Sequence, residues 1–542
     1  MTLSGNNIEV FAASDGKHPD GEPSTAGAGI DTVTREVKPA PDRYRNALAK
    51  YKIFRSAACK ACGKCAAICP HGVHAKPDNY AFTVRPQDHR CIGPACTKTD
   101  HYCVAHCPQK ALTLQRNLST DCMGDPRWTS ELILSTWHEA ETGHAPDNGL
   151  QCRTGESGGG FDRIRFCFEA PDGGPDAPVT TQVDPASIDT GLDLNHRDDG
   201  RPQVHIDIPV YGGGMSFGSV SIHTIVAKAR AALAWNSFTC TGEGGFPDRL
   251  KPYDDHVITQ VATGLFGIRE ETIQRVRIVE FKYAQGAKPG LGGHLLGDKN
   301  TPAVARMREA VAGNALFSPF PFHSVYSVED HKKHLDWIKQ TNPHALVSVK
   351  VSTPTDVDMV AVGSYYAGAH IVHLDGSYGG TGAAPDIAKK NIAMPIEYAI
   401  SKVHKFLTAE GIRDKVTLVS SGGLRTAFDV LKAIALGADG VVIGTAEMVA
   451  LGCVRCACCE SGRGCPRGIA STDPELMQQM TLEWATQRLI NLHAAWREQM
   501  VAVLSRLGLT SIRELRGRTD LLYYLDKEAR PGAGVTTEAA KS

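Results

Sequence analysis

The sequence predicts an α/β protein: a (β/α)8 barrel preceded by a small, cysteine-rich domain. Two observations carry this. Over roughly 260 residues, β-rich runs recur eight times, each ending in small or polar residues and followed by helical pattern. Upstream, eight cysteines lie between Cys59 and Cys107 in two runs that each end in Cys-Pro.

The eight runs are Val204–Val210, Ser237–Cys240, Ile278–Lys282, Ala315–Ser318, Leu346–Lys350, His370–Leu374, Val416–Ser420 and Gly440–Gly444. A doubly wound sheet is the competing architecture; it usually shows fewer strands and one early phosphate loop.

In the cysteine-rich part, Cys59, Cys62, Cys65 and Cys69-Pro70 follow the C-x2-C-x2-C-x3-C-P spacing of a bacterial ferredoxin. Cys91, Cys96, Cys103 and Cys107-Pro108 form a second set. In such domains the fourth thiolate of each run reaches the neighbouring cluster. Two 4Fe-4S clusters are therefore expected, one on Cys59, Cys62, Cys65 and Cys107, the other on Cys91, Cys96, Cys103 and Cys69. Zinc is the alternative for C-x2-C pairs, and the repeated C-x3-C-P ending speaks against it. A ferredoxin-like iron–sulfur domain moves electrons.

With 542 residues the chain has room for two or three domains. A net charge of -1 favours neither nucleic acid nor an anionic membrane as partner. No run of 18 apolar residues and no apolar leader segment is present, so a cytoplasmic protein is expected. Of seventeen cysteines, thirteen sit in two groups, and Cys122, Cys152, Cys167 and Cys240 are expected to be buried small hydrophobes. The expected organisation is a disordered tail over 1–45, the ferredoxin-like domain over 46–120 and a connecting segment over 121–205. The barrel follows over 206–470, then a helical extension over 471–542.

Glycines crowd the C-terminal ends of the presumed strands, where a barrel builds its site. They form Gly212-Gly-Gly-Met-Ser-Phe-Gly218, Gly242-Glu-Gly-Gly245, Gln285-Gly-Ala-Lys-Pro-Gly-Leu-Gly-Gly293, Gly379-Gly-Thr-Gly382, Ser421-Gly-Gly423 and Gly444-Thr445. Bare backbone lets a flat ring and a phosphate approach. The loops after the last two strands are the usual phosphate site, so Gly422, Gly423, Gly444 and Thr445 fit the phosphate of flavin mononucleotide (FMN). No nicotinamide-binding loop is found, so reducing power is expected to arrive through iron and sulfur. Just beyond the last strand, five thiols between Cys453 and Cys465-Pro466 argue for a third cluster, with a zinc knuckle as the alternative.

At this point a family is identified. Gly214-Met-Ser-Phe-Gly-Ser219, Gly242-Glu-Gly-Gly245, Ala284-Gln-Gly-Ala-Lys-Pro-Gly290, Gly379-Gly-Thr-Gly-Ala383 and Gly452-Cys453, followed by Cys459 and Cys465-Pro466, resemble the FMN-binding domain of glutamate synthase. So does Gly517-Arg-Thr-Asp-Leu-Leu522. The N-terminal segment is similar to that of short, archaeal-type members.

The resemblance implies a (β/α)8 barrel holding FMN beside a 3Fe-4S cluster. It implies reduction of 2-iminoglutarate, formed from 2-oxoglutarate and ammonia, to L-glutamate. On matching positions it implies Cys453, Cys459 and Cys465 as cluster thiolates. Met215, Ser216, Gln260, Lys282, Gly380, Gly423, Gly444 and Thr445 become flavin neighbours, and Glu243, Lys282, Gln285, Lys288 and Arg308 substrate-site residues. These types suit the task. Cations match a dicarboxylate, a lysine at a strand end holds negative charge on a flavin, and a carboxylate receives ammonium or manages an imine proton. Glu243, Lys282 and Lys288 are the catalytic candidates, and Gln285, Lys288, His294 and Arg308 the substrate-binding ones.

The departures are specific. Residues 1–45 contain no cysteine, so a glutaminase of the large enzymes is not expected, and ammonia comes free, from an amine, or from a separate amidotransferase subunit. The family's Lys-Pro-Gly-Glu-Gly-Gly-Gln becomes Lys288-Pro-Gly-Leu291-Gly-Gly-His294. Cys456 and Cys458 are extra, which leaves 4Fe-4S open for the third cluster. Ferredoxin or a reductase subunit is the expected electron donor. Alternative functions are amine exchange of the N-methylglutamate synthase kind and an electron-transfer subunit without glutamate chemistry.

Overall fold

A computed structural model describes residues 33–41, 49–77, 81, 83–146, 155–168, 182–289, 293–319, 322–380, 382, 384–460 and 463–525. Its centre is a closed ring of eight parallel strands: β1 (Val210–Gly212), β2 (Thr239–Cys240), β3 (Val257–Ala262), β4 (Ile278–Lys282), β5 (Leu346–Ser352), β6 (Ile371–Asp375), β7 (Thr417–Ser421) and β8 (Gly440–Ile443). Neighbours pair from β2 through to β8 and from β8 to β1. The Gly212 amide donates to the Phe238 carbonyl at 2.8 Å beside β2 and shuts the ring. β-branched, apolar runs form these strands because both faces are covered, the inner by the barrel core and the outer by helices.

Six of the eight expected runs supply six of the strands. The run Val204–Val210 divides instead. His205–Ile206 pairs antiparallel with Leu192–Asp193, and only Val210 enters the ring. Pro209 marks the break, since it cannot donate to a ladder. The hairpin plugs the lower end of the barrel: Leu192, Leu194, Val204 and Ile206 pack with inward-facing Tyr211, Ile258, Ile278, Leu346 and Ile371. Ala315–Ser318 is not a barrel strand. Leu316–Phe317 pairs antiparallel with His294–Leu295, folding the β4 loop back on itself. The missing strand is Val257–Ala262, fully buried, which follows the polar turns of Asp248–His256 rather than a regular helix.

Helices cover the ring: Ile222–Ala234 after β1, Val328–Thr341 before β5, Val357–Ala367 after β5, Ile396–Ala409 after β6 and Ala427–Ala435 after β7. Ser221 caps the first by accepting from the Thr224 amide. The C-terminal helix Leu482–Leu507 packs on Ile222–Ala234 and on Ser130–Thr142 from the connecting segment. Arg488, fully buried, donates to the carbonyls of Ala450, Ala40 and Trp137 and so ties three segments to that helix. Part of the expected tail is tied down as well. Glu36, Lys38 and Pro41 offer carbonyls to Gln487, Asn491 and Trp484. The rest of the tail lies outside the described residues.

In the cysteine-rich part, Tyr51–Arg55 pairs antiparallel with Leu112–Arg116. Ile53, Val73 and Leu112 form a small core against which Cys65, Cys69, Cys91, Cys103 and Cys107 pack. Of the scattered cysteines, Cys240 is buried as expected, whereas Cys122 is exposed and Cys167 half-buried. Cys152 lies outside the described residues. No helix among the described residues is long and apolar enough to cross a membrane.

Candidate functional site

Strand alternation sorts the barrel interior into layers, because residues two apart share a face. The lowest layer is apolar. Above it Gln260, Glu280, Ser348 and His373 point inward, and above these Lys282, Lys350, Asp375 and Ser421 reach the mouth.

The middle layers form one hydrogen-bonded chain. Glu280 accepts from Gln260 Nε2 at 2.7 Å and from Ser348 Oγ at 3.1 Å, and lies 2.9 Å from His373 Nδ1. His373 Nε2 lies 2.7 Å from Ser421 Oγ, which donates to Asp375 at 2.5 Å. The other Asp375 oxygen accepts from the Gly286 amide at 2.9 Å and pairs with Lys350 Nζ at 3.3 Å. Burial alone would raise both carboxyls. His373 and Lys350, with the Gln260 bond, bring Glu280 down to about 2, while Lys350 and His373, with the Ser421 bond, do the same for Asp375. The carboxylates of Glu280 and Asp375 accept only, so Gln260, Ser348, Ser421, the Gly286 amide and Lys350 are the donors that satisfy them.

At the mouth a cavity of about 280 Å³ is lined by the loops after six of the strands, by Gln260 on β3 and by Lys350 on β5. Lys282 Nζ donates to Glu243 Oε2 at 3.0 Å, both groups largely buried. Burial opposes ionisation of Glu243, but Lys282, Lys288 and Arg308 outweigh it and hold the carboxyl below its ordinary value. Burial pulls Lys288 below its ordinary value, partly offset by Glu243. Gln285 Nε2 is buried with no hydrogen-bond partner. His294 lines the cavity with its ring stacked on Phe317, centroids 5.2 Å apart.

The opposite wall is bare backbone. Gly422 and Gly423 have φ of 107° and 101°, a region that favours glycine, and a Cβ on Gly422 would press on the Gly376 backbone. A Cβ on Gly380 would collide with Thr445 Oγ1. Met215, Ser216, Gly444 and Thr445 complete this wall.

Cys453, Cys459 and Cys465 line the same cavity. Burial raises the Cys453 thiol to about 11, and Cys459 and Cys465 lie close enough to add to it. Burial likewise pushes Cys91 up to about 12, with Cys103, Cys96 and Cys69 as neighbouring thiols. Cys65 has Cys59 and Cys62 beside it. Backbone amides already face sulfur: Gly93 to Cys91 at 3.4 Å, Ala111 to Cys107 at 3.3 Å and Arg455 to Cys453 at 3.4 Å. Among the described residues no three His, Cys, Asp or Glu side chains stand close enough to share a single ion.

Of the sequence-derived candidates, Met215, Ser216, Glu243, Gln260, Lys282, Gln285, Lys288, His294, Gly380, Gly422, Gly423, Gly444, Thr445 and the three thiols line one cavity. Arg308 does not. It stands behind the wall, buried, donating to Ser216 Oγ at 2.9 Å and the Phe217 carbonyl at 3.0 Å. Leu291 lies outside the described residues. Sequence reasoning missed Glu280, Lys350, His373 and Asp375, whose signal was a polar residue at every second place of an otherwise apolar strand, and gave Ser421, quoted in a strand-end motif, no role of its own. It also missed Arg127 from the connecting segment, which lines the cavity; no motif marks it. A wider cleft of about 1800 Å³ lies outside the ring, beside Asp121–Pro126 and Thr426–Lys432, and holds none of the candidates.

The conserved region in glutamate synthase matches residues 178–510. An archaeal-type glutamate synthase (NADPH) of Thermotoga maritima is 36% identical over 491 residues, covering 86% of this chain and 92% of that one. An archaeal glutamate synthase (NADPH) of Methanocaldococcus jannaschii is 42% identical over 322 residues, 59% of this chain and 63% of that one. The glutamate synthase (NADPH) large chain of Azospirillum brasilense is 37% identical over 322 residues, with 58% of this chain matching 21% of it. Among solved structures, a flavocytochrome b2 variant superposes with a TM-score of 0.43 at 17% identity, over 77% of this chain and 90% of that one.

Proposed function

We propose that this chain, which belongs to the glutamate synthase family, is an iron–sulfur flavoprotein oxidoreductase that reduces 2-iminoglutarate, the imine of 2-oxoglutarate and ammonia, to L-glutamate. The observation that carries this reading is a single cavity in which the Lys282–Glu243 pair and Lys288 face a glycine-lined wall and three neighbouring thiols. The relatives are named glutamate synthases, which favours this over amine exchange or a bare electron relay.

FMN fits the wall by two observations. Gly380 and Gly423 leave the wall bare where a Cβ would meet Thr445 or Arg127, both of which line the cavity, and buried Gln285 Nε2 awaits an acceptor. Met215, Ser216, Gln260, Lys282, Gly380, Gly422, Gly423, Gly444 and Thr445 would hold it. Gln260 spends its amide nitrogen on Glu280, so its carbonyl is the group left for a ring N–H. Three thiol groups fit clusters: Cys59, Cys62, Cys65 with Cys107; Cys91, Cys96, Cys103 with Cys69; and Cys453, Cys459 with Cys465 as a 3Fe-4S or 4Fe-4S site. A multi-iron cluster spaces its thiols more widely than a single ion does. When bound, the clusters supply electrons singly and FMN supplies them to the imine carbon as a hydride.

The chain's own residues do the rest. Lys288 and His294 bind the substrate carboxylates, and Gln285 orients them. Glu243, ionised, receives ammonium. Lys282 Nζ, held by Glu243 Oε2, offers a proton to the imine nitrogen as the carbon is reduced, so two electrons and two protons turn C=N into CH–NH. Arg308 fixes Ser216 and with it the β1 loop. Electrons come from ferredoxin or a reductase subunit, and ammonia from solution or a separate amidotransferase.

The test is to reduce the reconstituted protein without oxygen and add 2-oxoglutarate with ammonium. Flavin reoxidation with stoichiometric L-glutamate is expected. A reduced flavin indifferent to both would overturn the reading.

A further inference from the structure

We infer that Arg127, carried into the barrel mouth by the segment that precedes the barrel, is the counter-charge for the phosphate of FMN. The inference rests on the flavin reading above and adds to it a cation from outside the ring.

Arg127 is 8% exposed and lines the cavity. Its guanidinium donates from one nitrogen to the Tyr378 carbonyl at 2.7 Å and stacks 3.9 Å over the Tyr378 ring. Its Nε is buried without a partner. The guanidinium stands at the bare face of Gly423, 2.9 Å from where a Cβ would be. That places a buried cation against the loop after β7, half of the phosphate site of this fold.

The charges around it do not neutralise it. Asp125 is committed to Arg455 at 2.8 Å, and Asp429 to Arg425 at 3.2 Å. Among the described residues no carboxylate makes a salt bridge to Arg127. An unpaired buried charge is costly, and a planar guanidinium suits a phosphate better than any other side chain. Burial, with Arg425 and Arg455 close by, pulls its pKa down to about 9, so it remains a cation at neutral pH.

Its position is built in. The amides of Arg127 and Trp128 both donate to Asp125 Oδ1, at 2.9 and 2.8 Å. Arg425 donates to the Arg127 carbonyl at 3.0 Å, and the Gly124 amide to the Val454 carbonyl at 3.2 Å. One turn is thus fastened both to the β7 loop and to the cysteine loop.

The test compares FMN with riboflavin, which lacks the phosphate, binding to flavin-free protein, by quenching of flavin fluorescence. Arg127→Gln is expected to weaken FMN on the order of a hundredfold and leave riboflavin unchanged. Arg127→Lys, which keeps charge but not the two-pronged geometry, should give an intermediate FMN affinity and an unchanged riboflavin affinity. Equal losses for both flavins, or no loss for FMN, would overturn the inference. Unmodified protein that binds neither flavin would instead bring down the flavin reading itself.

Discussion

Glu243, in the loop after β2, and Lys282, at the end of β4, are 39 residues apart in sequence and meet at 3.0 Å because both strand ends open on one cavity. Neither residue type is informative alone; their pairing beside Lys288 is. Glu243→Gln keeps shape and removes the acceptor that fixes Lys282. Glutamate formation should fall about a hundredfold, with the flavin absorption spectrum unchanged; full activity in a stopped-flow assay would remove Glu243 from the chemistry. The cysteines can be read residue by residue too. Cys69→Ser and Cys107→Ser should each disturb a different N-terminal centre in electron paramagnetic resonance spectra. The same signal lost in both would refute the crossed pairing of the two runs. What no single residue announced was Arg127, because an arginine in a loop is a surface group until the fold buries it.

At the scale of elements, the β7 loop shows what a strand end demands. Gly422 combines a positive φ with backbone contact to Gly376. Gly422→Ala should therefore cost about 1–3 kcal/mol, read as a lower midpoint in thermal unfolding, together with weaker flavin binding. Six of the runs read as barrel strands are barrel strands, since apolar β-branched runs have few other places to go. Besides the divided run Val204–Val210, two departures stand out, each with its own cause. Ala315–Ser318 looks like a strand and is one, but it pairs with His294–Leu295, and pairing is not written in a run's own composition. Val257–Ala262 was as legible as the others, yet it follows irregular turns, so the expected strand–helix rhythm hid it.

For the whole molecule, the buried chain from Gln260 to Lys350 sets a condition on pH. Glu280 and Asp375 have folded values of about 2, below the usual range near 4. A carboxyl depressed by folding stabilises fully above its unfolded value, and that contribution is lost as pH falls through its folded value. Urea unfolding should thus show near-constant stability from pH 7 to 5 and a steep loss between about 4 and 2. Glu280→Gln should be less stable at pH 7 and less acid-sensitive; an unchanged acid profile would mean the network does not control it. Arg488→Met tests the outer shell. It cuts three bonds to carbonyls on separate segments and should cost about 3 kcal/mol, seen as earlier exposure of Trp137 and Trp484 in fluorescence.

Cysteine spacing, strand rhythm and glycine-rich strand ends are local patterns, so the sequence alone determined the barrel, the three thiol groups and most residues at its mouth. Tertiary structure alone decided that Arg308 stands behind the wall, that a hairpin closes the barrel floor and that Arg127 enters the mouth. Each of these depends on which distant surface buries a side chain, and burial, unlike spacing, is a property of the assembled fold.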